Sequence, residues 1–471
     1  MVLKNFVLSF GVFALAISST VAVAAKKEFV ARGTVISGTP PVAKYVLPNG
    51  LRVLLLSDMR NPVATVRIRL DAGANREEVG KTGLAHFFEH MMFRKTRFSD
   101  EGHYDKVLSQ MGGSGNAGTS SEYVVFYSTF PSPALDSILK IEANRMMGVE
   151  LQEPYFSIEK GAVISERGLR FDNVPAARGG EIIRRIADRG TPYEWPVIGL
   201  KKDVENMSIK DVQNFYSAFY TPDNAILSVG GPFEEKEMLA LVQKHFGSWK
   251  GQKAKHTVHI PTDYVTRNKN IRFVCSEDVA EQTYTVVYPS RRYSLADSYY
   301  AMAFQDALDD NRDGTFQRRL QKDQLATGFG FAKHWYQRFN PNAIAMFSLS
   351  AEQSFEKVLS VWKTEVAKVL SKSVDKRFRE RIVKQVEVSK ANAALRMTSL
   401  LEEHESNEYF HNNFLATAGM SEFFRTLDEK KFRQWIKQNL LETPFYITGV
   451  VPRGMAPECS KVTPKTFALE K

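Results

Sequence analysis

The sequence predicts an α+β fold of two similar domains in tandem, each a mainly antiparallel sheet packed with helices. Three observations point there. The chain has 471 residues, too many for one ordinary core and suited to two of roughly 200 residues each. Its apolar patterns come as runs of strands and runs of helices, without strict strand–helix alternation. A slide of 220 residues also sets Val212 on Phe432, Phe215 on Trp435, Tyr220 on Leu440 and Ile226 on Tyr446. Both stretches then read helix, turn, strand, although such units are common and the echo alone does not establish a repeat.

Tyr45-Val46-Leu47 and Leu51 to Leu56 flank Pro48-Asn49-Gly50, a turn signal between two strands. Val63 to Leu70 alternates apolar and polar residues as a strand does. Leu84 to Phe93 reads as a compact helix and Glu101 to Met111 as the next. Gly112 to Gly115 breaks the chain before a strand-like stretch, Tyr123 to Phe130. Leu135 to Met147 and Pro154 to Arg170 carry helical spacing, with Pro154 placed for a helix start. A helix around Lys210 to Phe219, a strand at Ala225 to Val229 and a helix around Glu234 to Phe246 close the half. Gly247 stands at a cap position, and the polar stretch after it lacks periodicity. The expected boundaries are therefore 41–246 for the first domain, 247–263 for a connection and 264–460 for the second.

Hydrophobic residues make up 43% of the chain and charged residues 25%, the balance of a globular protein. The formal charge of +10 is spread along the whole length without basic–aromatic interleaving, which argues against a nucleic-acid partner. Residues 1–24 read as a signal peptide: Lys4, an apolar run from Phe6 to Ile17, then Ala22-Val23-Ala24 as a cleavage site. The apolar run is too short for a stable span, so the expectation is an exported chain with no membrane span after cleavage. Its compartment would be the periplasm in a Gram-negative bacterium and otherwise the exterior. Cys275 and Cys459 could pair across the second domain or could both be small buried residues, since spacing says nothing about Cβ geometry.

His86-Phe87-Phe88-Glu89-His90 is the segment with chemistry in it. On a helix, His86 and His90 share a face and can reach one cation, with Glu89 close enough to hold a water beside it. Leu84, Phe87, Phe88, Met91, Met92 and Phe93 would bury the helix, so the polar trio needs a metal or partners. Glu159 and Glu166, seven apart, share one face of a later helix. Glu166 would complete a His-His-Glu zinc set, and Glu159 could orient a ligand from behind. Two surface carboxylates would give the same spacing. His256, His259, His404 and His411 carry no such pattern and read as solvated. Under the 220-residue slide, His86, Glu89 and His90 fall on Asp306, Asp309 and Asp310, so a second copy would lack the metal site.

Those motifs resemble the pitrilysin–insulinase family of zinc metallopeptidases, in its shorter bacterial and mitochondrial-processing-peptidase-like branch. The likeness runs through Leu47 to Leu51, Gly83 to Phe93, Asn116 to Thr119, Pro192-Tyr193, Gly199 and Tyr220 to Ala225. It implies one Zn²⁺ per chain on His86, His90 and Glu166, with Glu89 as general base and Glu159 behind the ligands. It further implies an edge strand, Asn116-Ala117-Gly118-Thr119, that aligns an extended peptide, and hence an endopeptidase for peptides or unfolded segments. Active relatives often carry an Arg and a Tyr, seven apart, in the second half. Here Leu320 and Thr327 fall on those positions, with Arg318, Arg319 or Tyr336 as nearby substitutes. That departure leaves open a companion subunit of the same family or a non-catalytic scaffold.

Overall fold

The computed structural model describes residues 32–33, 39–254, 256, 258–290, 294–309, 314–333, 337–339 and 341–468. The expected signal peptide, Asp310 and Tyr336 lie outside them. The first half begins with β1 (Arg32–Gly33), β2 (Val42–Val46), β3 (Arg52–Ser57), β4 (Val63–Leu70), α1 (Leu84–Met91), α2 (His103–Gln110), β5 (Ser114–Thr119) and β6 (Val124–Pro131). It continues through α3 (Leu135–Gly148), α4 (Tyr155–Arg167), α5 (Pro175–Ala187), α6 (Lys201–Asn206), α7 (Ile209–Phe219), β7 (Ala225–Gly231) and α8 (Glu235–Phe246). The second half opens with β8 (Arg272–Glu277), β9 (Glu281–Tyr288), α9 (Leu295–Asp309), α10 (Phe316–Lys322), β10 (Gly328–Lys333) and β11 (Ala343–Ser350). It ends with α11 (Phe355–Ser371), α12 (Lys376–Ala394), α13 (Met397–His411), α14 (Met420–Arg425), α15 (Glu429–Ile436), β12 (Tyr446–Pro452) and α16 (Pro464–Ala468).

The repeat is real. The first sheet runs β1-β2-β3-β7-β4-β6-β5 and the second, read in the same sense, β8-β12-β9-β11-β10. Each has one parallel pair, β3 with β7 and β8 with β12, and every other pair is antiparallel. Arg52 stands beside Ile226 in the first, and Arg272 beside Ile447 in the second. The 220-residue echo therefore tracks the topology to within one residue. All eight apolar residues it matched are buried. The α+β expectation of two similar domains holds.

Strand β3 is apolar on both faces, as its unbroken run Val53 to Leu56 shows. Val53 and Leu55 meet α1, α3, α7 and α8 on one face. Leu54 and Leu56 meet Met397, Leu400 and Leu401 on the other, and these belong to α13 of the second half. The debt is returned: Ile183 and Ala187 of α5 pack on Phe273, Cys275, Val287, Tyr446 and Val450 of the second sheet. Each domain thus lends a helix, at equivalent places in the repeat, to cover its neighbour's sheet.

Four expectations need correcting or completing. The glycine stretch is not a plain break, because β5 already starts at Ser114. Helix α5 was not anticipated. Cys275 and Cys459 are joined by a disulfide across 184 residues, beside α5. His404 is buried rather than solvated, with Nδ1 3.0 Å from the Phe414 carbonyl, because its polar helix is α13 and faces the other domain. There the buried carboxylate of Glu405 meets Arg67 Nε at 2.7 Å, and Glu408 meets Lys44 Nζ at 2.7 Å. Arg69 lies over the Tyr123 ring, 4.1 Å from its centroid.

A second charged cluster bolts the halves together. Arg338, from the second half, pairs with Asp71 at 2.5 Å and Glu122 at 3.0 Å, and also donates to the Tyr409 hydroxyl. Tyr193, one of the family-like residues, donates to Glu122.

Candidate metal centre

Helix α1 starts at a fixed point. Gly83 has φ of +90°, and a Cβ there would lie 2.8 Å from the Ile198 carbonyl oxygen. Gly199, also left-handed, approaches Gly83 backbone to backbone, so neither position has room for a side chain. The buried Glu77 carboxylate accepts from the Gly83 and Ala85 N–H groups, satisfying the first turn. Phe87, Phe88 and Met91 then anchor the inner face in the core, which turns His86 and His90 towards α4.

The structure brings His86, His90 and Glu166 together. Glu166 Oε2 is 3.5 Å from Nε2 of His86 and 3.5 Å from Nε2 of His90, and the three donor atoms lie within 4.8 Å of one another. Among the described residues this is the one convergent group of three or more such side chains. Glu159 sits behind it, nearly buried, with Oε2 2.9 Å from His90 Nδ1. That bond leaves His90 Nε2 facing Glu166. Arg170 Nε lies 3.0 Å from the other Glu166 oxygen. Two imidazole nitrogens and one carboxylate oxygen form a donor set that fits zinc with a position left open.

Burial and the neighbouring carboxylates act differently on the two imidazoles. Burial, aided by His90, holds the His86 imidazole down at about 4, so it stays neutral. Burial also pulls His90 down, but the Glu159 hydrogen bond and the carboxylates of Glu159, Glu166 and Glu89 outweigh it and leave it raised. Burial raises Glu89 against the opposing hydrogen bond from Thr119, which makes it a better proton acceptor than an exposed carboxylate.

The predicted peptide-aligning strand forms the edge of the first sheet, pairing with β6 on one side. Asn116 is exposed and takes the Ala117 N–H on its own Oδ1 at 2.9 Å. Ala117, Gly118 and Thr119 are half-buried, and Thr119 Oγ1 donates to Glu89, tying this strand to α1. In the second half Leu320 is buried in the core, and Thr327 donates to the Ser348 carbonyl at 2.9 Å. Arg319 pairs with Glu365 at 2.8 Å. Those three contacts are all internal to the second domain. Sequence reasoning missed Arg94 and Arg170, although each stands four residues after a predicted ligand.

An H-x-x-E-H helix opposite a glutamate-bearing helix, on a sheet repeated without the donors, defines the class as an inverted-motif metallopeptidase fold. Comparison with known proteins agrees. A family model described as insulinase (peptidase family M16) matches residues 52–194, and one described as the peptidase M16 inactive domain matches residues 206–386. The chain belongs to the M16 peptidase family. Zinc protease PqqE of Helicobacter pylori is 32% identical over 234 residues, which cover 49% of this chain and 51% of that protein. Mitochondrial-processing peptidase subunit beta of Bos taurus is 27% identical over 217 residues, covering 46% and 44%. The chain thus spans about half the length of the curated relatives it matches. Among solved structures, a protease from Helicobacter pylori superposes with a TM-score of 0.77 at 22% identity, covering 87% of this chain and 99% of that one. Pitrilysin superposes at 0.69 with 18% identity, covering 91% and 48%.

Proposed function

We propose that this chain is an exported zinc endopeptidase that hydrolyses peptides or unfolded segments, with one Zn²⁺ on His86, His90 and Glu166. The observation that carries the reading is the approach of both imidazole Nε2 atoms to one oxygen of Glu166, with Glu89 on the same helix. A bound zinc supplies Lewis acidity towards the scissile carbonyl and a water. Glu89 takes the water's proton on its carboxylate and passes it to the leaving amine nitrogen. The Thr119 hydroxyl holds Glu89 in place, and the free edge of β5 aligns the extended substrate through main-chain hydrogen bonds. Glu159 fixes the His90 ring with Nε2 towards Glu166, the orientation in which His90 would hold a zinc. The Cys275–Cys459 bond supports export to an oxidising compartment. No helix among the described residues is long and apolar enough to cross a membrane.

A second reading has a specific observation behind it. With Leu320 buried and Thr327 engaged inside the second domain, the contacts expected from that half are absent at those positions. A companion chain of the same family would supply them, and the zinc-bearing chain would cut only in its presence. Zinc per chain in the purified protein, with cleavage of an unstructured peptide with and without chelator, tests both readings. One zinc with chelator-sensitive cleavage supports the self-sufficient enzyme. Zinc without cleavage, restored by a companion, supports the pair. No zinc would leave a scaffold.

A further inference from the structure

Behind the His-His-Glu group, the Glu159–His90 contact continues outward through Arg94 and Glu101, which neither reading uses. Glu159 binds His90 Nδ1 with one oxygen, 2.9 Å away, and its other oxygen receives Nε–H of Arg94. The same guanidinium extends Nη1 to Glu101, a side chain 41% exposed at the start of the α2 turn. Arg94 itself is only partly exposed, and Glu159 is nearly sealed. A buried carboxylate with one hydrogen bond can rotate. One clamped from both sides, between an imidazole and a guanidinium, has its orientation set. Arg94 follows His90 by four residues, where the chain leaves α1, so it reaches across the same face towards α4.

These groups also line an open pocket of about 430 Å³, together with Glu89, Phe93, Gly102 and Asp105. The clamp therefore borders the space next to the proposed base and is not hidden in the core. Arg167 is no substitute for Arg94, being committed to the Gly199 carbonyl, Glu181 and Asp172.

We propose that Arg94 is a positioning residue for His90, acting through Glu159, with Glu101 anchoring its outer end. The inference rests on the zinc reading above. Its test is a double-mutant cycle read by zinc affinity, using a competing chelator, and by the visible spectrum of the cobalt-substituted protein. Arg94→Ala and Glu159→Gln should each weaken zinc binding about 10-fold or more and alter the cobalt spectrum. The double variant should be no weaker than Glu159→Gln alone, because both changes remove one function. Arg94→Lys should recover part of the loss. Glu101→Gln, at an exposed position, should weaken binding by a few-fold in the same direction.

Additive losses in the double variant would overturn the proposal, as would unchanged zinc affinity and cobalt spectrum in Arg94→Ala. A fall in the melting temperature of metal-free Arg94→Ala that accounts for its weaker binding would assign Arg94 to stability and overturn it too. Failure of the wild-type chain to bind either metal would instead remove the underlying zinc reading, visible as no binding in every variant.

Discussion

The two domains have sheets with the same order over five strands and the same order of helices, yet the first gathers possible metal donors where the second uses its polar groups internally. At the place of His86 stands Asp306, held by Arg381 at 2.5 Å and by Gln385 at 3.0 Å. At the place of Glu89 stands Asp309, which accepts the Phe316 N–H at 2.9 Å as α10 begins. At the place of Glu166 stands Val386, buried in the second core. One of these carboxylates is held by an arginine and the other accepts from the start of a helix. The comparison teaches that what sets the first domain apart is the convergence of three donor atoms within 4.8 Å, while the matched positions of the second domain serve its own packing, and that the same fold tolerates either choice.

The sharpest way to break this contrast is at the bases. Glu89→Gln should keep zinc and lower peptide cleavage by at least about 10³-fold, within the range general bases contribute. Asp309→Asn should leave cleavage within a factor of two. Steady-state rates beside zinc content settle it, and substantial cleavage by Glu89→Gln would remove its assignment as base. Cys459→Ser should then cost about 2–5 kcal/mol of stability, because the bond closes a long loop of the unfolded chain. Reducing agent should lower the melting temperature of the wild type and not of this variant.

Arg338→Ala should cost about 3 kcal/mol, since it strips a partner from the buried carboxylates of Asp71 and Glu122. A pH series sharpens this. Burial would raise Asp71, but Arg338, Arg76 and Lys253 outweigh it and hold its carboxyl well below the usual carboxylate range. A depressed folded pKa gives stability that is present above the unfolded value, near 4, and lost as pH falls towards the folded one. The gap in stability between wild type and Arg338→Ala should be full at neutral pH and shrink below about pH 4. A gap that does not change with pH would detach Asp71 from the bolt. The smallest effect belongs to Asp306→Asn, expected to leave zinc affinity unchanged; altered affinity would mean that the second domain reaches the metal centre.

Much of the site was legible because its signals are local. His86, Glu89 and His90 lie within one and a half helical turns, and Glu159 and Glu166 within two. The 220-residue echo was readable because matched apolar residues fill matched cores. The burial of helix α13 was not legible. His404 and His411 on its polar sequence read as solvated, yet Glu405 and Glu408 of the same helix pair with Arg67 and Lys44, more than three hundred residues earlier. A polar helix buried against opposite charges has the same sequence pattern as an exposed one. The Cys275–Cys459 bond was undecided for a related reason, since it depends on how β12 returns beside β8. Arg94 hid in plain view, one helical turn past a ligand, because the carboxylate it serves arrives from another helix.

The exchange of α5 and α13 also has a consequence for how the chain comes to be. Leu54, Leu56 and Ile226 gain their cover from residues 397–414. The amino-terminal sheet therefore stays open while most of the polypeptide is still being synthesised. Such late, distant contacts slow folding and expose a sticky face in the interval. A fragment ending near residue 250 would carry His86, His90 and Glu166 and still leave Leu54, Leu56 and Ile226 uncovered beside unpaired Arg67 and Arg69. The first sheet is fully covered only once the last third of the chain has been made.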